Sequence, residues 1–477
     1  MQIPQLENSL KTNSSSLVWI PLDDLSIPKR QLRLHPKSQI KKIAESLEKF
    51  GCVAPILVDQ HNNVVAGVAR IRAARLIGLQ TILAVRIEHL TDEEIHLYRI
   101  ADNRLAEDSD WNSPELKLEF EDLIVLGQDI TITGFDQPET DIILSDGSPA
   151  PDRADEIRAV DTDTVPVTRL GDTWQVGAHR IHCGDAQNSA VFSELLGGEE
   201  VKAVFTDPPY NVSVASHIGG LGRHKHREFV MASGEMSPEL YSAFLKNTVE
   251  NAVRSAIKGA VLFVCIDWRS SDTLKRAADA IGLEALNLCV WNKTNGTMGS
   301  LYRSKHELIW VFRVPGAGHT NNVQLGKHGR NRSNVCDYPG ANTPGSDSNR
   351  DLALHPTIKP VALIADAIRD VTNRGDIVLD IFGGVGSTLL AAERTGRQAR
   401  LIELDPCYVD AALHRIREHT GLCIHLKQTG QSFDKVSVER RGPAQYETPN
   451  VSTRYRPRRT EATQTSSNGG NNGPKTA

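Results

Sequence analysis

In the first third of the chain, short apolar runs alternate with apolar positions at helical spacing. Trp19-Ile20-Pro21-Leu22 predicts a strand, and Ile40, Ile43, Ala44, Leu47 and Phe50 share one face of a helix that Ser38 can cap and Gly51 stops. Pro55–Asp59 and Val64–Gly67 flank a turn at His61-Asn62-Asn63, and a second helix, Arg70–Ile77, ends at Gly78. Thr91-Asp92-Glu93-Glu94 is a capping box opening a helix toward Asn103-Arg104, and Ser113-Pro114-Glu115 opens the next. From Asp136 to Pro166, acids, prolines and small polar residues replace the periodicity, which predicts a linker.

Beyond the linker the rhythm is that of alternating strands and helices. Leu170–Asp185 reads as a hairpin, Val201–Thr206 as a buried strand, and Val290–Lys293 and Ser304–Phe312 as later strands. Ile377–Ile381 is an apolar strand entering the glycine-rich turn Phe382–Ser387, followed by helix Leu389–Arg394 and the strand Leu401–Asp405. From Gln428 the composition turns polar, with Arg454, Arg456, Arg458 and Arg459 ahead of a Ser/Asn/Gly-rich end, so residues 428–477 are expected to be a disordered tail. A length of 477 residues accommodates two globular units, expected at 17–135 and 167–427 with the linker at 136–166.

Candidate chemistry concentrates at two of these turns. Asp207-Pro208-Pro209-Tyr210 suits activation of an exocyclic ring amine: the Asp207 carboxylate and the Pro208 carbonyl each accept an N–H, two prolines stiffen the backbone, and Tyr210 offers a stacking face. The same four residues are compatible with a proline-rich turn anchored by a half-buried tyrosine. At the second turn, glycines admit close approach of a ligand to backbone N–H groups, and the acid ending the next strand, about 20 residues on, is where doubly wound folds hold a ribose diol. No Gly-Lys-Ser/Thr pattern accompanies the loop, which favours a nucleoside over a nucleoside triphosphate.

These elements resemble the S-adenosylmethionine-dependent DNA amino-methyltransferases of the adenine-N6 and cytosine-N4 type, in the order of their beta group, including a His-Pro-Thr-x-Lys-Pro element matched by His355–Pro360. The resemblance implies an α/β fold with a Rossmann-like S-adenosyl-L-methionine methyltransferase domain, acting on double-stranded DNA in a restriction-modification setting. It implies catalytic Asp207, Pro208, Pro209 and Tyr210, and cofactor contacts from Asp380, Phe382, Gly383, Gly384, Gly386, Ser387, Thr388, Glu403 and Lys359. Asp185 is either a further cofactor contact or a turn cap. The aspartate form of the tetrapeptide is typical of adenine-N6 enzymes, and serine is commoner in cytosine-N4 enzymes. The nitrogen would attack the methyl group directly, on a base extruded from the duplex and stacked on Tyr210. His306 and Glu307 read as structural or substrate-positioning. Pro406-Cys407 has the look of a cytosine-C5 nucleophile, but its place past the ribose strand marks a helix start instead.

The first third resembles the ParB-type N-terminal domain, a smaller α+β unit. Its phosphate box, Gly-Glu-Arg-Arg-x-Arg-Ala in that family, reads Gly67-Val68-Ala69-Arg70-Ile71-Arg72-Ala73 here, which puts nucleotide binding in doubt. A competing reading is therefore a DNA-binding or partition adaptor whose methyltransferase fold is inactive.

Net charge sharpens one point. At −5 the whole chain does not attract DNA, so binding needs local basic surface. Pro208–Arg227 and Leu308–Cys336 lack acids, and Arg223, Lys225, Arg227, Lys327, Arg330 and Arg332 are the candidate DNA contacts; a solvated surface loop is the alternative for both stretches. The seven cysteines form no Cys-x-x-Cys pair, and no metal site is expected. No run of about 18 apolar residues appears and Met1–Pro4 does not open a signal peptide, so a cytoplasmic protein without membrane contact, and a homodimer as in many beta-group relatives, is expected.

Overall fold

Ile20, Ile56, Val58, Val64, Ile82 and Ala84 bury one face of a four-stranded sheet made by β1 (Leu17–Pro21), β2 (Ile56–Val58), β3 (Val64–Ala66) and β4 (Thr81–Arg86). The order is β1-β4-β2-β3, parallel between β2 and β4 and antiparallel elsewhere. Helices α1 (Lys37–Phe50) and α2 (Val68–Leu76) supply Leu47, Ile71 and Ala74 to the same core. Helix α1 starts before Ser38 and has no side-chain cap, while Gly51 closes it as expected at φ +73°. At Gly67 a Cβ would stand 2.6 Å from Ile56 Cγ2 at φ +101°, so this strand-to-helix turn requires glycine. Arg70 donates to the Pro55 carbonyl in a part-buried contact, and Arg72 to Gln31 at the surface.

The computed structural model describes residues 16–144, 155, 160, 164–211, 234–297, 302–325, 332–339 and 358–441. Helix α3 (Asp92–Leu105) opens on the expected capping box, with Thr91 and Glu94 bonding reciprocally, and α4 (Ser113–Val125) follows.

The stretch expected to be a linker is partly helical. Helix α5 (Gln137–Leu144) opens on a reciprocal pair in which the Asp136 N–H donates to Glu139 Oε2 at 2.7 Å and the Glu139 N–H to Asp136 Oδ1 at 3.0 Å. Its Asp141 is 3% exposed and faces the buried guanidinium of Arg397 at 3.0 and 3.3 Å. Asp155 likewise accepts the Val361 N–H at 2.9 Å. Two acids that make the segment look solvated are thus its anchors to the C-terminal unit.

That unit is built on a ten-stranded sheet. In chain order its strands are β5 (Thr173–Val176), β6 (His179–Cys183), β7 (Val201–Thr206), β8 (Ala256–Ile266), β9 (Glu284–Thr297), β10 (Ser304–Arg313), β11 (Val335–Asp337), β12 (Ile377–Asp380), β13 (Gln398–Glu403) and β14 (Ile424–Leu426). Their order is β11-β9-β10-β8-β7-β12-β13-β6-β5-β14, with a parallel centre, β8-β7-β12-β13-β6, and antiparallel pairings of β8 with β10, β10 with β9, β6 with β5 and β5 with β14. The central strands bury both faces: Phe205, Val378 and Leu401 join one core, Val204, Leu379 and Ile402 the other. Hence they read in the sequence as continuous apolar runs. Helices α6 (Ser189–Leu196), α7 (Pro238–Arg254) and α8 (Ser271–Ala280) cover one face, and α9 (Val361–Val371), α10 (Ser387–Thr395) and α11 (Pro406–Thr420) the other. This is the Rossmann-like arrangement the sequence predicts.

The polar tail begins later than expected. Helix α12 (Phe433–Arg441) buries Phe433 and Val436, sets the Phe433 ring at a tilt 5.2 Å from Trp174, and pairs Arg440 with Asp172. Two apolar side chains and the pairs Arg440–Asp172, Asp434–Arg417 and Arg441–Asp410 dock a helix of otherwise polar composition; residues 442–477, with Arg454, Arg456, Arg458 and Arg459, lie outside the described residues. Among the described residues no helix is long and apolar enough to cross a membrane.

Replacing Asp141 with alanine leaves Arg397 buried without its counter-ion, at an expected cost of about 3–5 kcal/mol. Breaking the exposed Lys275–Asp279 pair (2.6 Å) with Asp279→Ala should cost about 0.5 kcal/mol or less. Urea midpoints of the two variants check this, and equal shifts would mean that the Asp141 pair holds nothing in place.

Candidate active site

Strands β7 and β12 pair in parallel, Ala203 with Val378 and Val204 with Leu379, so the turns leaving them share one edge of the sheet. The chain leaves β7 toward β8 and β12 toward β13, in opposite directions, and a crevice opens at that reversal. A cleft of about 190 Å³ occupies it, lined by Asp185, Phe205, Asp207–Tyr210, Phe244, Lys359, Asp380–Val385, Ser387, Thr388, Glu403 and Asp405 among others. Residues expected to act together from five separate stretches of sequence are therefore assembled in one place.

Asp380 joins the two turns. Its carboxylate accepts the Thr206 hydroxyl at 3.1 Å, the Thr388 hydroxyl at 2.6 Å and the Phe382 N–H at 3.1 Å. Burial pushes it up to about 6 against those hydrogen bonds. With both oxygens engaged, Asp380 and Thr388 shape the loop. Ser387 does the same, accepting from the buried Arg415 at 3.1 Å.

The glycine loop closes on β13. Glu403 accepts the N–H groups of Gly384 at 2.8 Å and Asp405 at 2.9 Å, and burial drives its carboxyl up to about 7. A Cβ at Gly383 or Gly386 would come within 3.0 Å of Leu401 or Ala412, whereas one at Gly384 would meet nothing within 4 Å, on the open side of the cleft. Asp185 caps its turn through the Gln187 N–H at 2.8 Å and also lines the cleft, so both readings of it hold geometrically. Pro406 and Cys407 begin α11 behind Asp405, whose side chain caps it at 2.9 Å, as a helix start requires.

The tetrapeptide is held from several sides. The Tyr241 hydroxyl donates to the Pro209 carbonyl at 3.0 Å, and Asn211, at φ +54°, bonds Gly234 and Met236. The Tyr210 hydroxyl donates to Asp207 Oδ1 at 2.5 Å. Lys359 does not face the glycine loop. Its ammonium sits against Asp207 Oδ2, Glu307 Oε2 at 2.9 Å and the Tyr210 oxygen at 3.2 Å, because paired acids draw it to the tetrapeptide side of the cleft. Burial alone would lower its pKa, but Asp207 and Glu307 outweigh that and raise it. Asp207 is raised by burial, partly offset by Lys359. Glu307 is held low by Lys359 and Lys293 in spite of its burial.

Glu307 and its partner Lys293 are more deeply involved than the sequence suggests. Each is a charge inside an apolar strand, which is a visible signal, but the register that aligns β9 with β10, one strand beyond β8 from β7, is not. Arg332 departs from its expected role: it is paired with Asp366 at 3.0 Å and Asp370 at 3.1 Å, so its charge is compensated within the fold. Arg223, Lys225, Arg227, Lys327 and Arg330 lie outside the described residues, as do His355, Pro356 and Thr357.

A parallel sheet reversing at an acid-lined crevice, with a glycine loop on one side and Asp-Pro-Pro-Tyr on the other, defines a methyltransferase of Rossmann-like fold. Residues 201–414 match the DNA methylase family, 6–103 the ParB N-terminal domain and 114–170 the ParB-methyltransferase HTH domain. The type II methyltransferase M.HinfI of Haemophilus influenzae is 24% identical over 262 residues, covering 52% of this chain and 70% of that one. The ParB-like nuclease domain-containing protein YnaK of Escherichia coli (strain K12) is 31% identical over 78 residues, 16% of this chain and 90% of that one. Among solved structures, the M1.HpyAVI-SAM complex aligns at 20% identity and a TM-score of 0.37, covering 50% of this chain and 98% of that one. The chain carries an N6/N4-type DNA methylase domain at residues 201–414 and a ParB-like domain ahead of it. Its cofactor is S-adenosyl-L-methionine and it acts on DNA.

The cleft fits that cofactor chemically. Asp185, Asp207, Glu403 and Asp405 line it, and Lys359 in the same lining is already paired with Asp207 and Glu307, so the lining suits a nucleoside carrying sulfonium and ammonium charges better than a polyphosphate.

Asp380 and Glu403 keep their protons in the folded protein at pH values where the unfolded chain has lost them. They favour the fold below about pH 4, and that contribution is lost as pH rises through their folded values. In the ligand-free protein, Glu403→Gln should therefore gain stability over wild type between about pH 5 and about pH 8, on the order of 2 kcal/mol. Urea unfolding at the two pH values measures it; parallel profiles would place the raised titration elsewhere.

Proposed function

We propose that the protein transfers a methyl group from S-adenosyl-L-methionine to the N6 amine of adenine at specific sites in double-stranded DNA. The observation that carries the reading is a half-buried Asp207 carboxylate, hydrogen-bonded by Tyr210, on the strand next to the one that enters the glycine loop. The aspartate form of the tetrapeptide favours adenine over cytosine N4.

The cofactor supplies an electrophilic methyl group. In this proposal Gly383, Gly384 and Gly386 let it lie close to the loop backbone, Phe382 packs beside it, and Glu403 receives the ribose hydroxyls with Asp185 nearby. Asp380, Ser387 and Thr388 hold that loop in shape. Asp207 and the Pro208 carbonyl accept the two amine N–H groups, which draws the nitrogen out of conjugation, while Tyr210 stacks on the extruded base and the prolines keep the acceptors rigid. The ParB-like unit at 17–135 and basic side chains such as Arg223, Lys225, Arg227, Lys327 and Arg330 supply DNA contacts. We place the protein in the cytoplasm, as a homodimer, on the strength of its beta-group resemblance.

The test is methyl transfer from labelled cofactor to unmethylated duplex DNA, with nucleosides identified by mass spectrometry. N6-methyladenine is expected. N4-methylcytosine would keep the mechanism and overturn the base, and cofactor binding without product on any DNA would favour the adaptor reading. Asp207→Ala should lower transfer by about 100-fold or more while changing cofactor affinity by less than about threefold, since the carboxylate serves the amine and not the donor. Equal loss of both would make Asp207 a structural residue.

A further inference from the structure

The carboxylate that must receive an amine is already occupied. Asp207 Oδ1 accepts the Tyr210 hydroxyl at 2.5 Å and Oδ2 is paired with the Lys359 ammonium. An incoming N–H has to share those oxygens with both donors, which weakens each bond, so whatever draws Tyr210 and Lys359 away governs how readily Asp207 can act.

Glu307 stands in the place to receive them. Its Oε2 lies 3.3 Å from the Tyr210 hydroxyl and 2.9 Å from Lys359 Nζ, while Oε1 is held by Lys293. A phenol has one proton and donates it to one acceptor at a time. Turning the Tyr210 O–H from Asp207 Oδ1 to Glu307 Oε2 is a rotation about the C–O bond that leaves the ring in place for stacking. A carboxylate oxygen has lone pairs for both Tyr210 and Lys359. Lys293 and Lys359 keep Glu307 ionised although it is only 8% exposed, and both ammoniums lie near the Trp291 ring, at 4.7 and 5.9 Å from its centroid. Two carboxylates and two ammoniums balance, and a neutral amine leaves that balance unchanged.

We propose that Glu307 is a positioning residue of the methyl-transfer site: it takes over the Tyr210 hydroxyl and the Lys359 ammonium when the substrate amine claims the Asp207 carboxylate. The role rests on the function proposed above. No bond to carbon is made or broken in the exchange; one hydroxyl proton changes acceptor and one ammonium leans from one carboxylate to the other. Without Glu307, Tyr210 and Lys359 have Asp207 as their carboxylate partner and hold it against the substrate.

The experiment is a double-mutant cycle of Glu307→Gln and Tyr210→Phe in the full chain, read as kcat, cofactor Kd and the pH profile of single-turnover transfer. Glu307→Gln should lower kcat at least tenfold with cofactor Kd unchanged. Tyr210→Phe removes the competing hydroxyl, so in that background the glutamine substitution should cost markedly less. The acid limb should also move to lower pH. The charged or titratable groups facing Asp207 are Lys359, Tyr210, Glu307, Cys265, Asp380 and Tyr241, and of these Glu307 and Asp380 raise Asp207 or are raised with it, so neutralising Glu307 lowers the pKa of Asp207. Equal losses in both backgrounds with an unmoved acid limb would overturn the proposal and leave Glu307 a structural anchor. Absence of transfer by the wild-type protein, with cofactor bound, would overturn the function itself and with it this role, and it shows before any variant is made. Should Glu307→Gln fail to fold, the charge-balanced pair Glu307→Gln with Lys293→Met gives the same readouts.

Discussion

The hydrogen bond from Thr206 to Asp380 spans 174 positions of sequence and sits where two parallel strands part company. Because β7 continues outward on one side and β12 on the other, the loops beyond them separate, and the gap between those loops is the cleft. Asp380 then passes its position on, to the Phe382 amide at the start of the glycine loop and to Thr388 at the start of α10. The tetrapeptide on one wall and the cofactor loop on the other are thus referred to a common point. A displacement of either strand by one residue would turn their side chains to opposite faces and separate the walls chemically.

Much of this was legible because it is local. The parallel strands announce themselves as apolar runs, the glycines mark a turn that only they can make, and Pro-Pro leaves the backbone little choice after Asp207. What was not legible depends on partners distant in sequence. Asp141 reads as a solvated acid until Arg397 is beside it, and Arg332 reads as a free cation until α9 presents Asp366 and Asp370. Lys359 belongs to a motif that leads into the cofactor loop, yet charge pairing carries it to the other wall. Helix α5 did have a local signature in Asp136 and Glu139, masked by the proline and acid content around it.

Buried charge is used in two ways. Around Asp207 two acids and two lysines form a cluster in which Lys359 and Lys293 hold Glu307 low while burial still raises Asp207. Around Glu403 and Asp380 burial dominates, and hydrogen bonds from Thr388, Thr206 and backbone N–H groups offset it only in part, so both carboxyls rise toward neutrality.

The Asp141–Arg397 pair redraws the boundary at which the chain can be divided. Composition would place a cut anywhere between 136 and 166, and a C-terminal fragment starting near Val165 would keep the whole ten-stranded sheet. Such a fragment would also seal an arginine in its interior opposite an empty seat, since the acid that neutralises Arg397 is left on the other piece. The smallest autonomous catalytic unit therefore begins ahead of Asp136, and grafting it onto another recognition module means carrying α5 along as part of the engine rather than as part of the tether.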